Sequence, residues 1–163
     1  MNIRNECSND YAQIEEITKL AFLGKPYSSG TEQCLAEKLR ANDALVLSLV
    51  VEDAGAVVGH LALSPIKING FNGSYFGLGP LAVSPSAQGK GYGTALLKSA
   101  LEFLSANGAK CCVLVGDPNY YSRVGFEVES ELTYQGAPAE YFQSIRFTED
   151  KLAGEVEFHE TFE

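Results

Sequence analysis

The sequence predicts a mixed α+β fold, with helices flanking one central sheet, and three observations predict it. Apolar residues recur at three- and four-residue spacings near the start and give way, from Leu45 onward, to runs of strand type. Midway, an extended run, a glycine-rich stretch, a long amphipathic helix and the continuously apolar CCVLV follow one another in the order of a βαβ crossover. The length of 163 residues, with 45% hydrophobic and 20% charged, suits a single domain over residues 1–163 with one sizeable core.

In chain order, residues 3–7 are too short to classify alone. Ser8, Asn9 or Asp10 caps a first helix whose buried face is Tyr11, Ile14, Ile17 and Ala21. GKPYSSG (24–30) breaks it. A second short helix spans about 32–40, capped by Thr31 and burying Leu35 and Leu39. LVLSLVV and AVVGHLALSPIKI flank a turn through Glu52, Asp53, Ala54 and Gly55, which makes them an antiparallel hairpin. NGFNG (69–73) leads to a third strand over about 76–83. It ends at Ser84-Pro85, where proline removes an amide donor and restrains its predecessor. GTALLKSALEFLSANG is helical, with Tyr92, Leu96, Ala100, Phe103 and Leu104 on the apolar side and Gly108 placed to stop it. Residues 111–115 form a buried strand. Asp117 caps a short helix starting at Pro118, where proline loses no needed hydrogen bond; Gly125 ends it and Phe126 opens an extended segment. YFQSIRF and GEVEFHETF read as strands.

Charge narrows the function. Lys plus Arg number 12 against 21 Asp plus Glu, a net charge of -9 spread along the chain. With no basic stripe and no interleaving of Arg with aromatics, no nucleic-acid partner is expected, since phosphate neutralisation supplies most of that affinity. A small anionic ligand stays open, because local backbone donors hold phosphate inside a globally negative protein. Cys7, Cys34, Cys111 and Cys112 form no CxxC pair and the two histidines are far apart, so no metal is expected. MNIRNECSNDY lacks the apolar core of a signal peptide and no apolar run approaches a membrane span. The expectation is a soluble, cytoplasmic protein with reduced thiols and no membrane partner.

The most chemical feature is QGKGYGT between a strand and a long helix. Gln88, Gly89, Lys90, Gly91, Tyr92, Gly93 and Thr94 form a glycine-rich entry whose unpaired amides point out of the first helical turn, a natural seat for phosphate. Gly91 and Gly93 allow close backbone approach to a pyrophosphate, and Lys90 adds a point charge at the rim. A P-loop needs Gly where Ser84 stands and Ser or Thr where Gly91 stands. A GxGxxG fingerprint from Gly89 meets Thr94 at its last glycine. Both motifs fail.

LAVSPSAQGKGYGTALL (81–97) resembles the acyl-coenzyme A binding segment of the GNAT N-acetyltransferase superfamily, whose Q/R-x-x-G-x-G/A pattern is matched by Gln88, Gly91 and Gly93. Nearly the whole chain is similar to that family, and GDPNYYSRVGFE, with Tyr121 before Gly125 and Phe126, resembles a bacterial subgroup of it. The resemblance implies a central, mostly antiparallel twisted sheet with a splay between two parallel strands. It implies acetyl-CoA as cosubstrate, its pyrophosphate cradled by the amides from Gln88 through Thr94. The edge at Leu81, Ala82 and Val83 would bond the pantetheine arm like an added strand, with Asn119 a further cofactor contact.

Transfer from a thioester to an amine needs a neutral amine, stabilisation of a growing oxyanion and a proton for the departing thiolate. The resemblance gives the last role to Tyr121, with Tyr120 read as packing, and lets the Val83 amide polarise the thioester carbonyl. His60, mid-strand among apolar residues, is the candidate base, since an imidazole titrates near neutrality; His159 has a weaker claim. The chain departs from the family at Gly79 and Pro80, where many relatives carry an acid, and at Asp117 and Asn119, whose spacing differs from the family's asparagine. A water relay to His60, Glu52 or Glu140 is then open. Cys111 and Cys112 point to opposite faces of a buried strand, so direct transfer is favoured over a cysteine acyl-enzyme. The acceptor expected is a primary amine of a small molecule or a protein, and the assembly a monomer or homodimer. The competing readings are a non-catalytic acyl-CoA-binding sensor and a structural interaction domain in which the glycine loop is an empty turn.

Overall fold

The computed structural model describes residues 1–26 and 28–162; position 27, inside the expected break after the first helix, lies outside the described residues. Along the chain run β1 (Asn2–Asn5), α1 (Tyr11–Phe22), α2 (Leu35–Ala41), β2 (Leu47–Asp53), β3 (Ala56–Pro65), β4 (Lys67–Ile68) and β5 (Tyr75–Val83). After them come α3 (Tyr92–Ala106), β6 (Cys111–Val115), α4 (Pro118–Tyr121), β7 (Glu127–Val128), β8 (Leu132–Thr133), β9 (Phe142–Arg146) and β10 (Gly154–Glu157). A seven-stranded sheet has the order β1-β2-β3-β5-β6-β9-β7. Its neighbours are antiparallel except β5 and β6, which are parallel across the α3 crossover. β10 joins β4 antiparallel and β8 parallel in a small second sheet.

Side-chain alternation decides what each face buries. Leu49, Val51, Leu61 and Leu63 pack with Leu96, Leu97, Ala100 and Leu104 of α3, while Val50 packs on the other face against Ile14 and Ala36 of α1 and α2. Farther along the sheet, Cys111 and Val113 join Ile66, Leu132, Phe142 and Val156 under the second sheet. Each fully buried Leu or Val contributes about 1.5–3 kcal/mol to this core.

Several boundaries differ from the sequence reading for local reasons. The second hairpin strand, expected to continue to residue 68, stops at Pro65; the Ile66 amide donates to Tyr75 at 3.1 Å and Lys67–Ile68 leaves to pair with β10. The second helix opens as a 3-10 turn, Glu32–Cys34, with no Thr31 cap, and buries Ala36 and Leu39 while Leu35 is only half-buried. There the Glu32 carboxylate takes the Ser29 amide and the Ser28 hydroxyl. Asp10 is the residue before α1, yet its carboxylate accepts from the Cys7 amide and from Arg4 instead of the helix. Tyr11, expected on the buried face, is 39% exposed, with the Arg40 guanidinium 3.6 Å from its ring centroid.

One irregularity positions the site. Leu61 and Leu63 of β3 oppose Leu81 and Leu78 of β5, so β5 carries an extra residue in a bulge at Gly79 and Pro80. Gly79 and Pro80 are therefore the residues that bend β5.

Candidate active site

β5 and β6 pair only where Tyr75, Phe76 and Gly77 face Cys111, Cys112 and Val113. Among the described residues, β5 beyond Gly77 stays bonded to β3 alone, and β6 beyond Val113 to β9 alone. The strands diverge into a wedge with an open edge on each side. Which backbone groups line it follows from one bond. Ser84 donates to the Val58 carbonyl at 2.8 Å, and antiparallel alternation makes His60 and Ala82 the next bonded pair. Ala82 therefore turns its amide and carbonyl to β3, whereas Leu81 and Val83 turn theirs into the wedge. Gln88 Nε2 already donates to the Val83 carbonyl at 3.1 Å, a bond that ties the glycine loop to the strand end.

The loop enters α3 through Gly89 at φ +80° and Gly91 at φ +87°, left-handed conformations that glycine adopts without a Cβ penalty. The first backbone bond across the helix start runs from the Ala95 amide to the Gly91 carbonyl at 3.0 Å. Among the described residues, no acceptor takes the amides of Gln88, Gly89, Lys90, Gly91, Tyr92, Gly93 or Thr94. These donors sit at the positive end of a helix of 15 residues, which favours an anion there. The Tyr92 ring is buried and its hydroxyl donates to Asp53, so only its backbone opens to the loop; Lys90 is exposed. A Cβ on Gly93 would strike the Tyr120 hydroxyl, which makes Tyr120 the neighbour of the helix start.

Across the wedge, Asp117 accepts from the Asn119 amide at 3.0 Å and caps α4 as expected; Asn119 is exposed. Tyr121 is half-buried beside the end of β6: a Cβ on Gly116 would stand 2.5 Å from its ring, and its centroid lies 5.0 Å from Tyr120 and 6.0 Å from Phe126, both edge-on. The two aromatic neighbours of α4 are thus divided, Tyr120 toward the helix start and Tyr121 toward the strand end.

His60 is fully buried on the face covered by α1 and α2. Its Nε2 lies 2.7 Å from the Ser48 hydroxyl, which donates to Glu6, itself held by Arg40 at 2.9 Å. Burial lowers the imidazole to about 4, so the ring is neutral at physiological pH and has no exposed surface from which to reach an amine. The consequence is measurable. Between pH 6.5 and about 4 the unfolded chain binds a proton that native His60 refuses, so stability is expected to fall with pH across that window, by about 3 kcal/mol in full. Urea melts at several pH values are expected to show a flatter slope for His60→Gln; equal slopes would remove the assignment.

The other candidate groups are dispersed. His159 Nδ1 accepts from the Thr161 amide at 3.1 Å, Glu52 is paired with Arg4, and Glu140 lies in an exposed turn. Gln143, absent from the sequence reading, is fully buried and donates to the Gly116 carbonyl at 2.9 Å, fixing the end of β6 under Tyr121. Its signal was a glutamine in the apolar run YFQSIRF. Among the described residues, no group of three or more His, Cys, Asp or Glu converges to hold a metal.

Comparison with known proteins bears directly on this arrangement. The family model described as the acetyltransferase (GNAT) family matches residues 11–126, from the start of α1 through the Tyr121 helix to Phe126. The chain belongs to the GNAT family. It is 35% identical over 150 residues to the uncharacterized N-acetyltransferase YhbS of Escherichia coli K12, covering 87% of this chain and 89% of that protein. Among solved structures, a GNAT family acetyltransferase from Brucella melitensis in complex with acetyl-CoA superposes with a TM-score of 0.89 at 40% identity, over 99% of this chain and 97% of that one. Escherichia coli YhbS in complex with CoA superposes with a TM-score of 0.90 at 32% identity, over 99% of this chain and 91% of that one. The α+β GNAT fold, with its wedge between parallel strands, is the fold of this chain.

Proposed function

We propose that this GNAT protein transfers an acetyl group from acetyl-CoA to a primary amine by direct attack in a ternary complex. The observation that carries the reading is the continuity of two sets of unsatisfied backbone groups: the amides from Gln88 to Thr94 and, at the wedge-facing edge, the amide and carbonyl of Leu81 with the amide of Val83, whose carbonyl Gln88 already holds. A diphosphate joined to an extended amide-bearing arm matches both, and the two similar proteins crystallised with acetyl-CoA and with CoA support that ligand. When bound, acetyl-CoA supplies the reactive thioester.

The chain's own residues then divide the work. Gln88, Gly89, Lys90, Gly91, Tyr92, Gly93 and Thr94 grip the diphosphate through backbone, with Lys90 adding charge at the rim. Leu81 and Val83 orient the arm, and their amides are the donors available to a carbonyl oxygen in the wedge. The Tyr121 hydroxyl gives its proton to the leaving sulfur and takes back, through solvent, the proton that the attacking amine releases as its bond to the acetyl carbon forms, and Asn119 borders the cofactor. Cys111 and Cys112 stay out of the chemistry: both are buried, and burial pushes the Cys111 thiol up to about 11 and that of Cys112 higher still.

The test is to incubate the purified chain with acetyl-CoA and a panel of amines and lysine peptides, following free thiol and acceptor mass. Acceptor-dependent thiol release with a matching acetylated product is expected. Tight acetyl-CoA binding with no turnover on any acceptor would point to the sensor reading, and absence of binding to both acetyl-CoA and CoA would overturn the cofactor assignment.

A further inference from the structure

We propose that Tyr92 and Asp53 form a positioning pair for cofactor binding, in which the hydrogen bond between them fixes the first turn of α3 against the β2–β3 hairpin and so aims the loop amides at the diphosphate; this rests on the cofactor reading above.

The loop has little else to hold it. Gly89 and Gly91 both stand at positive φ, and a glycine without a tether leaves that region as readily as it enters. Among the described residues, the side chains of segment 88–94 make two hydrogen bonds: Gln88 to the Val83 carbonyl at 3.1 Å and Tyr92 to the Asp53 carboxylate. The first secures the end of the loop that leaves β5. The second secures the end that enters α3, and its partner stands 39 residues away in the chain.

The hairpin is shaped to act as the anchor. Its strands slip by one residue between Val51 and Glu52, which leaves Val58 as the extra residue of a bulge in β3. The Val58 carbonyl takes the Ser84 amide at 2.8 Å just after β5 ends, and Asp53, the last residue of β2, takes Tyr92. One end of the hairpin therefore holds both flanks of the loop. It also seats the helix: a Cβ on Gly59 would lie 3.3 Å from Leu96 Cδ1, and Leu96 stands one turn beyond Tyr92 on the same helix face.

The sign of the charge shows how Asp53 acts. Asp53 is exposed and, among the described residues, in no ion pair, whereas its neighbour Glu52 is paired with Arg4. A free carboxylate beside an anion site repels the ligand, so charge alone makes Asp53 a liability for binding. Its benefit is geometric, because donors already fixed in place give up less entropy to the diphosphate than donors that the ligand has to order. The same carboxylate holds the Tyr92 phenol above its ordinary value of 10.0, which keeps the hydroxyl a donor.

The experiment is calorimetry of acetyl-CoA with the full chain carrying Tyr92→Phe, Asp53→Ala, Asp53→Asn or Tyr92→Phe with Asp53→Ala, and circular dichroism of each. Phenylalanine keeps the buried ring and Asp53 is exposed, so the core is retained in all four. Tyr92→Phe and Asp53→Ala are each expected to raise the Kd about tenfold, and the double variant to bind no more weakly than either, since both remove one bond. Asp53→Asn keeps an oxygen that accepts from the phenol and drops the charge, so its Kd is expected within about twofold of wild type. The loss in Asp53→Ala is expected in the KM for acetyl-CoA and not in kcat. In cofactor-free NMR spectra, the Gly89, Gly91 and Gly93 amides are expected to shift in Asp53→Ala and to stay in place in Asp53→Asn. An unmoved Kd in Tyr92→Phe and Asp53→Ala, a tighter Kd in Asp53→Ala, or equal losses in Asp53→Ala and Asp53→Asn would overturn the pair while the transferase reading stands. Wild-type binding of acetyl-CoA with turnover on no amine would overturn transfer alone, because the Kd pattern still decides the pair. Wild-type binding of neither acetyl-CoA nor CoA would overturn both.

Discussion

Tyr121→Phe is expected to lower kcat about 10²–10³-fold, the range lost when a positioned general acid is removed. The substitution isolates the hydroxyl. The ring of Tyr121 rests on Gly116 and meets Tyr120 and Phe126 edge-on, contacts that phenylalanine reproduces, so α4 and the end of β6 keep their packing. The cofactor-gripping amides lie on the α3 loop, and the Kd for acetyl-CoA is therefore expected to stay within about twofold. A purely packing role for the ring would leave kcat near wild type. Stopped-flow measurement of thiol release with saturating amine, alongside calorimetry of acetyl-CoA, separates the two outcomes. Tyr120→Phe provides the contrast: its hydroxyl faces Gly93 at the helix start, so its removal is expected to shift cofactor affinity a few-fold and leave the chemical step intact.

The same residues show why parts of this site were legible in the sequence and others were not. The glycine loop was readable because its constraint is local: Gly89 and Gly91 need positive φ, and the helix that follows announces itself by period. The crossover to CCVLV was readable for the same reason. What residues 81–83 do depends on a partner strand's departure. Nothing in LAV says that β6 turns to β9 after Val113, and the open edge entered the sequence reading only through family resemblance. His60 went the other way. Alternation put it on a strand, but its burial comes from Ser48 and Glu6, residues distant in sequence whose hydrogen bonds make a neutral imidazole tolerable under α1 and α2. The Thr31 side chain does not cap because the Cys34 amide already donates to the Thr31 carbonyl at 3.0 Å in the 3-10 turn and the Thr31 hydroxyl turns to Ser29, a local choice that propensity ranks do not resolve.

Gly91→Val is expected to raise the Kd for acetyl-CoA about 100-fold, the largest change in affinity anticipated for a single substitution in the loop. At φ +87° a β-branched side chain clashes with its own backbone, at a cost of about 1–2 kcal/mol, and the loop relieves it by rotating away from the left-handed region. That rotation re-aims the neighbouring amides, which point at the ligand only while Gly91 holds its conformation before α3. Losing two hydrogen bonds to a charged diphosphate costs about 3 kcal/mol, the 100-fold effect stated. Lys90→Ala tests the alternative that side-chain charge dominates. Lys90 is exposed, so its removal is expected to weaken binding only a few-fold and to make the residual affinity less salt-sensitive. Calorimetry on both variants, with circular dichroism to confirm that α3 is intact, ranks the contributions. A folded Gly91→Val protein with near-native affinity, or a Lys90→Ala protein weaker than it, would mean that the cofactor is held by charge at the rim and not by the amides that open the helix.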